Sequence, residues 1–142
     1  MIGNTMLKGA LVVLSIIAAA AFAAPPTQAQ SGGPVYELRT YTTLEGKLPA
    51  LVARFRDHTI KLFEKHGMKN VGYWVAADPP KSQNTLYYIL KHKSREAATA
   101  SWEAFWKDPE WIKLQKESEA GGKIVDHMES VFMSPTDFSK LK

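Results

Sequence analysis

Two strand-like stretches of this sequence carry the side chains best suited to chemistry. "VYELRTYT", residues 35–42, supplies Arg39 and Tyr41, and "KIVDHMESVFM", residues 123–133, supplies His127 and Glu129. Side chains alternate across a strand, so Arg39 shares a side with Tyr41 and His127 with Glu129. Tyr87 in "NTLYYILKHK" and Trp74 in "KNVGYWVAAD" join them as candidates from two further strands. Such a set suits a small anionic or phenolic molecule. Arginine pairs with a carboxylate or enolate, tyrosine donates a hydrogen bond, and histidine moves a proton near neutral pH. The competing reading is structural: an ion pair of Arg39 with Glu37 or Glu129 that serves a subunit interface. A slip of one residue in register would move the whole set to the other face. His58 lies between Phe55 and Leu62 on the apolar side of a predicted helix and is a further candidate. His92, between Lys91 and Lys93, reads as solvated.

Several chemistries find no support. There is no cysteine, no nucleophilic serine motif and no glycine-rich phosphate loop. His58 and His66 are too far apart along the chain for a zinc pair on one helical turn. No metal and no cofactor is therefore expected.

The elements that must position these residues follow from periodicity. Residues 35–42 are β-branched and aromatic, as in a strand. Between Gly46 and His66, the residues Leu48, Leu51, Val52, Phe55, Thr59, Leu62 and Phe63 recur at helical spacing, and Gly67 supplies a stop. "KNVGYWVAAD" and "NTLYYILKHK" read as a hairpin across "PPKSQ", whose prolines cannot join a central ladder. Ser94 starts a second helical region that runs toward Gly121 and Gly122, and residues 123–133 form the last strand. The order strand, helix, strand, strand, helix, strand predicts an α+β, ferredoxin-like sandwich, with a four-stranded antiparallel sheet carrying helices on one face.

"SWEAFWKDPEW", residues 101–111, places three tryptophans and a phenylalanine around Asp-Pro. Asp is a favoured N-cap and Pro is tolerated at the first helical position, so Asp108 and Pro109 restart the helix in a new direction. Trp102, Phe105 and Trp106 can then converge with Trp111 and Leu114. Core and interface packing is the expected role of these rings.

Residues 1–29 have the plan of a cleaved signal peptide: Lys8, an apolar run, then small residues. Cleavage is expected after Ala29, with Ala23 as the alternative. The run is too short to span a bilayer and no other comes after it. Residues 30–34 read as a flexible lead-in and 35–142 as one domain. The formal charge of +4 drops by one with the loss of Lys8, and the remaining charges are interspersed. That pattern suits a solvated surface better than a nucleic-acid arm. The reading is of an exported protein, periplasmic or secreted, with no nucleic-acid partner and no stable membrane span.

"VYELRTYT", "HGMKNVGYW", "SREAATASWEAFWKDPEW" and "MSPTDFS" together resemble the NIPSNAP domain, in order and spacing over nearly all of the mature chain. The resemblance implies a dimeric α/β barrel of the ferredoxin-like superfamily, whose relatives include small cofactor-independent monooxygenases, isomerases and haem-binding proteins. It implies no particular reaction. A signal peptide and a single copy of the unit set this chain apart from the mitochondrial members. An apolar open sheet face points separately to a homodimer with a closed interior, into which Arg39, Tyr41, Tyr87, His127 and Glu129 are expected to project. The expected function is to bind a small ligand or a partner protein. The alternatives are a cofactor-independent monooxygenase or isomerase and a haem-binding protein.

Overall fold

A computed structural model describes residues 33–142. The predicted signal peptide and residues 30–32 of the lead-in lie outside them. Strand β1 (Val35–Thr43) leads to helix α1 (Leu48–Arg54), a π-helical turn (Phe55–Thr59) and helix α2 (Ile60–Lys65). Strands β2 (Lys69–Val75) and β3 (Thr85–His92) come next, then helices α3 (Arg95–Trp106) and α4 (Pro109–Ser118) and strand β4 (Val125–Met133). The four strands pair antiparallel in the order β2-β3-β1-β4. This is the expected ferredoxin-like sheet.

The predicted first helix forms, with one difference. At Phe55–Thr59 it widens to a π turn, and the Thr59 hydroxyl donates to the Arg54 carbonyl at 3.2 Å. The extra residue in the turn shifts the helical phase, so Arg54, Phe55 and Thr59 all face inward. Gly67, at φ 77°, takes the left-handed position that ends α2.

The second helical region breaks where its sequence predicts. Ser94 caps α3 by accepting from the Ala97 amide, and Asp108 caps α4 by accepting from the Glu110 amide. The Asp108 carboxylate also takes Lys65 at 2.8 Å and His66 at 2.6 Å, which ties the end of α2 to the start of α4. Those hydrogen bonds hold its carboxyl well below the usual carboxylate range. The restart brings Trp111 to 4.6 Å from Phe105 and 5.7 Å from Trp106, ring centre to ring centre.

The core lies between the helices and one face of the sheet. Tyr41, Leu86, Tyr88 and Leu90 pack there against Leu51, Phe55, Leu62, Phe63, Phe105 and Trp111. Register places Tyr73, Tyr88, Arg39 and Ser130 side by side across all four strands. The opposite face carries Leu38 between Ile89 and Val131, with Trp74 opposite Tyr87. Trp74 and Val131 on that face are 51% and 55% exposed. The Trp74 indole lies over Gly72, where a Cβ would stand 2.5 Å from the ring, so a larger residue there would push the exposed indole aside. Among the described residues, no helix is long and apolar enough to cross a membrane.

Candidate functional site

Arg39 and Tyr41 alternate with Leu38 and Thr40 as expected, but they project toward the helices and not into the open sheet face. The reason is the company Arg39 keeps. Its guanidinium lies 4.1 Å from the centre of a Trp102 ring and donates from Nη1 to Glu37 Oε1 at 2.7 Å. Ser130 donates to the same oxygen at 2.7 Å, while Trp102 Nε1 and His92 Nε2 reach Glu37 Oε2 at 2.8 and 2.9 Å. A carboxylate with four donors is fully satisfied, and the expected solvation of His92 is corrected: its ring is buried to reach this acceptor. The ion pair of Arg39 with Glu37, the structural reading, is present beneath α3 and away from the open face.

Burial alone would raise the Glu37 carboxyl. Hydrogen bonds from His92, Ser130 and Trp102, with the charge of Arg39, overcome it and hold it at about 2 against an ordinary 4.5. A folded-state value below the unfolded one adds stability that is complete above pH 4.5 and disappears as the pH falls toward 2. With allowance for screening, about 2–3 kcal/mol is expected to be lost over that window. Urea denaturation at pH 6, 4 and 2.5 would measure it; a flat profile would show that Glu37 is not the ionised centre of the cluster.

The other Arg39 nitrogen, Nη2, reaches the Tyr41 hydroxyl at 3.5 Å and Met128 Sδ at 3.0 Å. Both of those residues line a cavity of about 290 Å³ between the π turn, α3, α4 and the start of β4. Its floor is buried and mostly aromatic: Tyr41, Phe55, Phe63, Phe105 and Trp111, with Arg54 and Thr59. Its rim is exposed and polar, formed by Gln115, Lys123, Asp126 and His127 beside Trp106. A bulge where Thr42 and Thr43 meet β4 adds an extra residue beside the rim, as bulges often do next to functional sites. There His127 Nδ1 lies 2.8 Å from Asp126 Oδ2, which orients the imidazole.

The structure therefore splits the predicted candidates. Tyr41 lines the cavity floor with Arg39 behind it, while His127 only borders the rim beside the bulge, since register pairs it with Thr42 on the open-face side of β1. Trp74, Tyr87 and Glu129 belong to the open sheet face, because Trp74 pairs with Tyr87, Tyr87 with Thr40, and Thr40 with Glu129. His58 is exposed, since the π turn rotates it out of the apolar stripe, and it borders a separate outer groove with Ala50, Leu114 and Ile124. Sequence reading missed Arg54 and Glu119. Arg54 had a usable signal: it falls three residues after Leu51, inside the apolar stripe. Glu119 had none, because it lies past the end of α4 among other charged residues. Among the described residues, no three His, Cys, Asp or Glu side chains converge as a metal site.

The NIPSNAP family profile matches residues 36–140. A NIPSNAP family protein with unknown function from Agrobacterium tumefaciens is 24% identical, with a TM-score of 0.67 over 78% of this chain and 96% of its own. A second NIPSNAP family protein from that organism is 20% identical, with a TM-score of 0.67 over 77% of this chain and 99% of its own. A NIPSNAP-like domain protein from Burkholderia xenovorans is 16% identical, with a TM-score of 0.66 over 76% of this chain and 90% of its own. At these identities the likeness is one of fold. The chain matches no curated protein.

Proposed function

The chain belongs to the NIPSNAP family, and from that premise we propose that it is an exported, homodimeric domain that binds a small aromatic molecule in the cavity beneath α3 and α4. The observation that carries the reading is the cavity itself, an aromatic floor of about 290 Å³ with a buried arginine in its wall. That is the lower end of the size range of small-molecule sites, which are mostly apolar with a few placed polar groups. Export rests on residues 1–29, and dimerisation on the apolar face around Trp74, Ile89 and Val131. A second reading, an isomerase in the same cavity, is favoured by the Asp126–His127 pair at the rim and by Tyr41 at the floor, whose hydroxyl Arg39 reaches from behind. It requires the bound molecule to exchange a C–H proton with D2O, and His127→Gln to stop the exchange without releasing the molecule.

A native mass spectrum of the protein purified from its exported compartment tests both halves of the proposal. A dimer carrying added non-protein mass is expected. An empty dimer that takes up no aromatic compound counts against the binding role. Trp74→Glu places a charge on the open face and is expected to shift the protein to monomer at micromolar concentration; a dimer that withstands it does not use this face.

A further inference from the structure

We infer that the cavity takes a small aromatic carboxylate, whose acid group displaces Glu119 from Arg54. This rests on the cavity being a binding site and adds the class of its ligand.

Arg54 is held in place. Its side chain is only 4% exposed, its carbonyl accepts from Thr59, and its guanidinium lies 5.4 Å from the centre of a Trp111 ring. Its hydrogen bonds are incomplete all the same. Nη1 serves both Ser118 Oγ at 3.2 Å and Glu119 Oε1 at 3.1 Å, while the buried Nε–H has no acceptor. A guanidinium is a planar fork that matches a carboxylate through two parallel bonds, and Glu119 engages it through a single nitrogen. Glu119 is the movable partner. It lies just past the end of α4, ahead of Gly121 and Gly122, and its side chain is 23% exposed. Swinging outward would return its charge to water and leave the arginine open on the cavity side.

An acid arriving with a flat ring meets both requirements at once. The ring lies against Phe55, Phe105 and Trp111, and the carboxylate takes the fork. Lys123 and Asp126 at the rim carry opposite charges and largely cancel, which leaves Arg54 to set the preference. Glu119 then acts as an internal stand-in for the ligand acid, and removing its charge should strengthen binding.

Calorimetric titration of the dimer with 2-naphthoate, with the uncharged 2-naphthamide and with the cationic 2-naphthylmethylammonium tests the idea. The acid is expected to bind at least about tenfold tighter than the amide, and the amine least well. Glu119→Gln is expected to tighten the acid by about tenfold and to leave the amide unchanged. Arg54→Met, once its fold is verified by circular dichroism, should erase the preference for acid; Arg54→Lys should retain part of it. If the amide binds as well as the acid, or if Glu119→Gln weakens the acid, the ligand class is wrong while the cavity reading stands. If none of the three probes binds, both fall.

Discussion

Glu37→Ala is expected to lower the unfolding free energy by about 3–5 kcal/mol, because it strips a buried cation of its partner. Arg39 would keep its place under Trp102 with no carboxylate within reach, and the donors of His92, Ser130 and Trp102 would lose their acceptor together. The Arg39 Nε and His92 Nδ1 groups already lack partners, so the cluster has little reserve. Glu37→Gln keeps the shape and one acceptor oxygen but removes the charge that Arg39 requires, and about half of the loss is expected to remain. The double variant Glu37→Leu, Arg39→Met separates charge from packing: replacing both partners of a buried pair by apolar groups is often close to neutral. It should be more stable than Glu37→Ala alone. Urea denaturation at one fixed protein concentration measures all three. A cost below about 1 kcal/mol for Glu37→Ala would mean that the cluster is solvated and open.

The cluster also shows how much of the molecule is legible in its sequence. Strand alternation puts Glu37, Arg39 and Tyr41 on one side of β1, and the structure agrees residue by residue. Alternation cannot supply which side the helices cover, since both faces of this sheet are apolar enough to be buried: Tyr36 and Leu38 on one, Tyr41 and Tyr88 on the other. A charged residue argues for the open interior, yet the acceptor that makes burial of Arg39 tolerable stands two residues away on the same strand. His92 misleads for a similar reason. Its flanking lysines suggest solvent, but on a strand the neighbours point away from it. The cap at Asp108 is legible because it depends on adjacent residues alone. The π turn is not, because nothing in "FRDHT" differs from an ordinary helical turn, and with it goes the outward position of His58.

Trp111 in the cavity floor and Trp106 at its rim differ in how much of the fold rests on them, and paired substitutions should show the difference. Trp111 is buried, with Phe105, Trp106 and Arg54 against its ring. Trp111→Ala removes a large buried ring packed against Phe105, Trp106 and Arg54, at an expected cost of about 3–5 kcal/mol. Trp106 is 40% exposed, stacks on Trp102 at 5.5 Å and stands at the rim of the cavity. Trp106→Ala removes a ring that already meets solvent on one side, so about 1 kcal/mol is expected, within the range of partly buried sites. Binding is read on the variant that keeps its fold. Trp106→Ala, still folded, is expected to weaken an aromatic ligand by about tenfold, since a ring stacked in a pocket contributes on the order of 1 kcal/mol beyond its buried area. Thermal melts with and without ligand separate the two effects, because a ligand that binds only the folded state raises Tm by an amount that grows with its affinity. If Trp106→Ala costs as much stability as Trp111→Ala and leaves binding unchanged, all the tryptophans are core, and the cavity is only the gap between them.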